Sequence, residues 1–133
     1  ILNIANKIEE HYSETDYETF AMGDMAGKVS YLLDKRLIQL EGLVGGKKIL
    51  TRIQSQKNLC NLFNEFDVDI YLTTKITKVG ESYHVEEPSQ KSNNLKKMKG
   101  KLLIEPQVTF SSANLTVYAF HLRNNKICNN SKK

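Results

Sequence analysis

The stretch from Tyr17 to Val44 restricts the fold of this chain more than any other part of the sequence. An apolar run at 20–22 ends at a glycine and an aspartate, a segment with helical spacing follows at once, and a second apolar run at 37–40 ends at a glutamate and a glycine. Strand, helix and strand in this order are typical of a β-α-β unit, which joins two parallel strands by a right-handed crossover. The sequence therefore predicts a parallel sheet at the centre of the fold.

Two further patterns complete the predicted core. Apolar residues at 47–66 recur at helical spacing, in one bent helix or two short ones, and residues 68–74 alternate as a strand does. With the first unit they make a Rossmann-like β-α-β-α-β half of a doubly wound sheet. The predicted fold class is α/β, with this parallel half extended by antiparallel C-terminal strands in a two-layer or three-layer sandwich.

The other segments flank this core. Residues 1–12 place apolar side chains on one face at helical spacing, and the later strand candidates lie at 83–86, 102–110 and 115–122. The expected organisation is a single α/β domain with these parts: N-terminal helix and linker (1–16), β-α-β-α-β core (17–79), and antiparallel strands (80–128) with a lysine-rich loop (88–101). Because the chain begins inside an amphipathic pattern and without a methionine, we expect either a processed protein or a domain excised from a longer one.

Composition limits the class of partner. With 40% hydrophobic and 26% charged residues, a chain of 133 residues is expected to be globular with a modest core. Its net charge of +4 comes from lysines, which crowd one segment at Lys91, Lys96, Lys97, Lys99 and Lys101. This run suits an anionic lipid surface or an inert solvated loop. Nucleic acid is not an expected partner, because the run lacks interleaved aromatic side chains for base stacking.

The two cysteines, Cys60 and Cys128, show no metal-ligand spacing with the scattered histidines, so no metal or other cofactor is expected. Cys60 lies among apolar residues and fits a buried position. A disulfide between the two would form only in an oxidising compartment, and the sequence leaves its formation open. No apolar run approaches the length of a membrane span, and no signal peptide is recognisable.

The candidate ligand-binding residues are Asp24, Gly27, Glu41 and Gly42, which follow the first two predicted strands. Open α/β sheets bind ligands in the crevice outside the carboxyl ends of their strands, so these residues predict a shallow polar crevice. The alternative role is structural. Asp24 would then cap the following helix, Gly27 would allow close helix–strand packing, and Glu41 would pair with a lysine or cap a loop.

The same segment argues against dinucleotide binding. The spacing from Gly23 to Gly27 lacks the full G-x-G-x-x-G pattern, and a carboxylate at Asp24 would repel a pyrophosphate at the helix start. No histidine pairs with a serine or cysteine in a recognisable nucleophilic motif. We therefore predict no catalytic residue in this chain.

Four segments carry a resemblance to a known family: A-M-G-D-M-A-G at 21–27, Y-L-L at 31–33, Q-L-E-G-L-V at 39–44 and V-D-I-Y at 68–71. Together they resemble the C-terminal domain of polytopic membrane glycosyltransferases of the GT-C type, which use lipid-phosphate sugars such as dolichyl- or polyprenyl-phosphate mannose. The resemblance covers about the first half of the chain, and the family's V-D-Y-Y stands here as V-D-I-Y.

The resemblance implies a soluble α/β domain at the extracytoplasmic face of a membrane, following a bundle of transmembrane helices, with the catalytic acid in a loop that this chain does not contain. The expected function is that of an accessory domain, inactive alone, which assists acceptor binding or stabilises the membrane part. Its expected partners are the remainder of the membrane enzyme, together with a glycan acceptor or lipid headgroups. The alternative is a free-standing Rossmann-like domain that binds a nucleotide or a phosphorylated small ligand.

Overall fold

The computed structural model of the chain describes residues 2–23, 29, 33–40, 58–87 and 98–123. Two helices have described bounds, α1 (Leu2–Tyr12) and α2 (Leu59–Glu65), and Val29, between β1 and β2 in the sequence, is also helical. The described residues contain eight strands, in chain order: β1 (Thr19–Met22), β2 (Arg36–Gln39), β3 (Ile70–Thr73), β4 (Thr77–Val79), β5 (Ser82–Glu87), β6 (Met98–Leu102), β7 (Val108–Ser112) and β8 (Leu115–His121).

A mixed five-stranded sheet, in the order β2-β1-β3-β8-β7, forms the centre of the fold. Strand β1 pairs in parallel with both β2 and β3, whereas β8 pairs antiparallel with both β3 and β7. Strands β4, β5 and β6 form a second, antiparallel sheet in that order. A two-residue turn joins β4 to β5, and Gly80 adopts a φ of +63° there, a conformation that costs glycine little.

Successive residues of the strands point to opposite faces of the central sheet. Both faces are covered. One face packs against α1, in a core that includes Ile4, Ile8, Tyr12, Phe20, Met22, Ile70 and Leu72. The other face packs against α2 and the three-stranded sheet, in a core that includes Ala21, Phe63, Tyr71, Tyr83, Val85, Leu102 and Phe120. The central strands β1 and β3 are buried along their whole length.

Helix α2 joins the two sheets. Its N-cap residue, Asn58, accepts a hydrogen bond from the backbone N–H of Cys60 at 2.7 Å and forms an isolated parallel bridge with Lys99 of β6. A Cβ added at Gly100 of β6 would lie 3.2 Å from the Cβ of Leu59. The close approach of α2 to β6 therefore depends on a glycine in the strand.

The predicted Rossmann-like β-α-β-α-β fold is wrong. Such a half consists of parallel strands covered by crossover helices. In the described residues the central sheet is mixed, a second sheet of three antiparallel strands covers part of one face, and two helices accompany eight strands. The protein is a mixed α/β structure dominated by strands.

The error arises mainly after residue 75. Strand β4 was not predicted, and the first four residues of β6 were assigned to the lysine-rich loop. In β6, buried and exposed residues alternate strictly, so Lys99 and Lys101 occupy the solvent face of a strand. The strand predicted over 102–110 is split between the two sheets. Pro106 lies in the gap, where its missing N–H breaks no ladder.

Other local predictions agree more closely with the structure. The helix predicted at 1–12 is confirmed as α1, and the strands predicted near 18–22, 37–40 and 68–74 correspond to β1, β2 and β3. The segment 47–57 lies outside the described residues. Among the residues that the structure describes, no helix has the length and apolarity needed to cross a membrane.

Candidate functional site at the carboxyl edge of the central sheet

The four residues predicted to line a crevice, Asp24, Gly27, Glu41 and Gly42, all lie outside the described part of the chain. The structure describes the residues directly before two of them. Strands β1 and β2 run parallel up to their ends, and the N–H of Leu40 donates to the carbonyl of Met22 at 2.8 Å. In the sequence, residues 24 and 41 directly follow Gly23 and Leu40, the last described residues at these two neighbouring strand ends.

A buried acid lies at this edge. Glu87, the last residue of β5, is 1% exposed, and its carboxyl group reaches from the three-stranded sheet onto the central one. The Tyr71 hydroxyl donates to Glu87 Oε2 at 2.5 Å, and the Thr73 hydroxyl lies 3.1 Å from the same oxygen. Burying a carboxyl group is costly unless it is hydrogen-bonded, so these two hydroxyls stabilise it in this position.

Gly23 makes room for this acid. It follows β1 directly, beside Thr73 in the parallel register. A Cβ added at Gly23 would overlap Glu87 Oε1 and lie 2.9 Å from its Cδ. The carboxyl group thus occupies the volume that a side chain at residue 23 would fill, and a larger residue there would have to displace the end of the Glu87 side chain.

We name the contact among Gly23, Tyr71, Thr73 and Glu87 the carboxyl-edge contact. Its acid is closed off from solvent and already bound to two hydroxyls, so in this geometry it holds the two sheets together. It fixes the backbone from which residue 24 continues. The buried carboxyl group therefore acts by positioning the strand ends at this polar edge of the sheet.

The sequence analysis missed Glu87, and no local signal indicates it. The residue lies in a run of two glutamates before a proline, which is typical of a solvated strand end. Its partners Tyr71 and Thr73 precede it by 16 and 14 residues, and Gly23, which follows β1, is still further away in the sequence. Only the alternation of β5, which places Tyr83, Val85 and Glu87 on the same buried face, could have indicated that Glu87 is buried.

A second polar cluster lies at the opposite, amino edge of β1 and β3. Asp69 accepts hydrogen bonds from the backbone N–H groups of Glu18 at 2.8 Å and Thr19 at 3.2 Å. Arg123 donates to both carboxylate oxygens of Asp69 at 3.0 Å, and its guanidinium lies 4.7 Å from the ring centroid of Tyr17. This bidentate pair ties the end of β8 to the starts of β1 and β3.

These contacts determine the pKa of Asp69. Burial by itself would raise it, but the hydrogen bond from Arg123 and those from the Glu18 and Thr19 backbones outweigh burial, so the pKa lies below its usual value. A carboxyl group whose pKa is lower in the folded chain stabilises the fold above its unfolded pKa. That stabilisation is lost as the pH falls through the folded pKa.

For Asp69→Asn we therefore expect a lower free energy of unfolding than for the wild type at neutral pH, with the difference narrowing below about pH 3.8, the usual value for the group. Urea denaturation of both proteins across this pH range measures the difference. Asp16→Asn is the matched control, because Asp16 contacts the same arginine but is 89% exposed. If the stability difference between the wild type and Asp69→Asn stays constant with pH, the lowered pKa of Asp69 in the folded chain is contradicted.

The same edge carries a buried tyrosine and a histidine. The Tyr12 hydroxyl lies 2.7 Å from Nε2 of His121, and the Tyr17 hydroxyl lies 3.5 Å from Nδ1 of the same ring. Burial, reinforced by Tyr17, raises the pKa of Tyr12, while burial and the nearby His11 lower the pKa of His121. A neutral imidazole between two neutral hydroxyls suits a structural hydrogen-bond network.

The outer face of the three-stranded sheet has a polar recess. Its volume is about 310 Å³, and its lining consists of Thr77, His84, Val85, Glu86, Lys99 and Gly100. Glu86 lies directly opposite Lys99 in the ladder, an arrangement that favours opposite charges. Among the described residues, no group of three or more histidine, cysteine or acidic side chains could hold a metal ion.

Cys60 takes part in a disulfide bond and is 3% exposed, on α2 in the core beneath the three-stranded sheet. The sequence contains one other cysteine, Cys128, which lies outside the described residues. Stable disulfides are typical of proteins that fold in oxidising compartments.

Comparison with protein-family models, with curated proteins and with solved structures finds no match to this chain. The geometry of the two edges and the outer face must therefore carry the functional argument, together with the resemblance of its segments.

Proposed function

We propose that this chain is an accessory domain of a membrane-embedded glycosyltransferase, held at the extracytoplasmic face. There it assists acceptor binding or stabilises the membrane part, and it does not catalyse transfer alone. The single observation that carries the proposal is the carboxyl-edge contact. Gly23 belongs to the A-M-G-D-M-A-G segment of the resemblance, and its packing against Glu87 gives that segment a role in shaping a polar edge.

The contact itself is internal, and it lies at the carboxyl ends of β1 and β3. Ligands of α/β sheets bind outside the carboxyl ends of the strands, and Gly23 is the last described residue before Asp24 at that edge. A glycan acceptor presents hydroxyl groups, which carboxylates and backbone groups bind well. The remainder of the membrane enzyme would supply the catalytic acid.

The disulfide of Cys60 supports the proposed location. Cytosolic thiols are kept reduced, whereas the outer face of a membrane is oxidising in most cells. A buried, disulfide-bonded cysteine therefore favours a domain that folds after export.

The free-standing nucleotide-binding alternative loses its basis. It depended on a Rossmann-like fold, which the mixed sheet and the second antiparallel sheet overturn.

Membrane fractionation of the source cells, with an antibody raised against this chain, tests the location. We expect the epitope in a membrane-bound polypeptide much larger than 15.2 kDa, accessible to protease from the outer face. A cytosolic product of about this mass, with both cysteines reduced, would contradict the proposal.

Replacing Asp24 with alanine in the full-length gene tests the crevice. We expect reduced sugar transfer from the lipid-phosphate donor, because the polar edge would lose a carboxylate, with the domain still folded. The measurement pairs a transfer assay in membranes with thermal denaturation of the domain. If stability falls by about 1 kcal/mol and transfer is unchanged, Asp24 is only a helix cap.

A further inference from the structure

The hairpin formed by β7 and β8 contains a sequence motif that the proposed function does not use. Asn114, Leu115 and Thr116 match Asn-x-Ser/Thr, the acceptor motif of N-linked glycans, with a residue other than proline in the middle. Within the described residues this motif occurs once. A motif of three residues arises often by chance, so its position in the fold decides whether it can be modified.

Asn114 lies at the tip of this hairpin, in the two-residue turn that joins Ser112 to Leu115. It is exposed, and so is Ala113 beside it. A glycan is bulky and polar, so it can be attached only to a side chain at the surface of the folded protein. The tip of the hairpin meets this requirement.

The turn itself does not require an asparagine at this position. Asparagine is common in turns because it tolerates a positive φ and because its side chain bonds to nearby backbone groups. Here the residue with a positive φ is Ala113, at +50°, rather than Asn114. In the part of the chain that the structure describes, the Asn114 side chain makes no hydrogen bond. Neither of these structural reasons therefore accounts for Asn114.

Thr116, the second residue that defines the motif, lies on a solvent-facing side of the hairpin. It is half-buried, and its direct partner on β7 is Ser111, which is exposed. Side chains of directly paired residues share one face of a sheet, and Thr109, two positions from Ser111 on that face, is exposed as well. The hydroxyl of Thr116 and the amide of Asn114 are thus presented together at one surface corner of the central sheet.

The disulfide bond of Cys60 indicates a compartment in which this motif is used. N-linked glycans are found on proteins that enter the secretory route, and stable disulfides form in the same oxidising environment. The motif and the cysteine are independent observations, because Cys60 lies on α2 and the hairpin lies at the far edge of the central sheet.

We propose that Asn114 carries an N-linked glycan. The sugar donor is an oligosaccharide bound to a lipid pyrophosphate, and a separate transferring enzyme acts on this chain as acceptor. A bond forms between Asn114 Nδ2 and the anomeric carbon of the first sugar, while the bond from that carbon to the pyrophosphate oxygen breaks. The amide loses one proton to a base of the transferring enzyme, and the lipid pyrophosphate leaves. This modification goes beyond the proposed function and shares with it only the extracytoplasmic location.

Mass spectrometry of the protein purified from its source cells tests the proposal. Trypsin cleaves after Lys101 and Arg123, so Asn114 lies in the peptide 102–123, apart from a second match to the motif at 129–131. Enzymatic removal of the glycan in heavy-oxygen water converts a glycosylated asparagine into a labelled aspartate. We expect this label at Asn114 in most copies of the chain.

Variants expressed in the same cells show whether the motif is responsible. Thr116→Ala is expected to abolish the label although Asn114 remains, and Thr116→Ser, which keeps a hydroxyl, is expected to retain it. Thr109→Ala is the matched control, because it removes a threonine from the same exposed face outside the motif and should leave the label unchanged. Circular dichroism should show all three variants folded, since the contacts of the hairpin with α1 are made by Ser111 and Ser112.

Two results would overturn the glycan and leave the proposed function standing: an exported, disulfide-bonded chain with unlabelled Asn114, or equal labelling of the wild type and Thr116→Ala. A cytosolic chain with reduced cysteines and no label would overturn both proposals.

Discussion

Replacing Gly23 with alanine is expected to lower the free energy of unfolding by about 1–3 kcal/mol, with loss of the carboxyl-edge contact. The added methyl group would overlap the carboxyl group of Glu87, which must then move away from Tyr71 and Thr73. The buried Tyr71 hydroxyl would lose this acceptor, whereas the Thr73 hydroxyl would keep the carbonyl oxygen of Lys75, which lies 3.3 Å away. Urea denaturation monitored by circular dichroism measures the effect.

A double-mutant cycle with Glu87→Ala distinguishes this contact from a general intolerance of alanine at the strand end. Removing the carboxyl group vacates the space, so the double variant should be more stable than the sum of the single effects by about 1–2 kcal/mol. Gly80→Ala is the matched control. It introduces a methyl group into open space at a φ of +63°, so its smaller cost should be additive with Glu87→Ala. Simple additivity at Gly23 would show that the two residues are not in contact.

Reducing the disulfide of Cys60 is expected to lower the free energy of unfolding by about 2–4 kcal/mol, because the cross-link limits the freedom of the unfolded chain. Denaturation with and without dithiothreitol measures the loss. Mass spectrometry of unreduced peptides identifies the bonded pair. Cys128, the other cysteine of the sequence, is the expected partner.

Alanine variants provide the control for reduction. Cys60→Ala and Cys128→Ala should each destabilise the chain by a similar amount, and the double variant should lose no more than either one, since one bond is removed in each case. Dithiothreitol should then have no effect on any variant. A wild type whose stability is the same with and without the reductant would contradict the prediction and would remove the support that the disulfide gives to an extracytoplasmic location.

Local periodicity was sufficient for the first half of the fold. The 3.6-residue spacing of apolar side chains identifies α1, and short apolar runs ended by glycine or polar residues identify β1, β2 and β3 within one or two residues. These signals depend only on residues that are close in the sequence, so they do not depend on how distant segments fold.

The local sequence pattern did not predict the structure where the amino-acid composition of a segment favours a loop but its pairing makes it a strand. In β6 the alternation of Met98, Gly100 and Leu102 with two lysines indicates a strand, yet the density of lysine and serine around it favoured a loop. The antiparallel placement of β8 beside β3 is a long-range choice, and nothing in residues 115–121 determines which edge they join. The Rossmann-like prediction was wrong because β4, β5 and β6 form a second antiparallel sheet and β8 and β7 complete a mixed central one, associations that local pattern does not indicate.

The sequence by itself determined the amphipathic helix, the three central strands, the concentration of lysine after residue 75 and the presence of two cysteines. Only the tertiary structure decided that Glu87 lies against Gly23 and that Arg123 binds both carboxylate oxygens of Asp69. Secondary structure depends on contacts a few residues apart, whereas each of these associations joins distant segments whose meeting depends on how two sheets pair and pack.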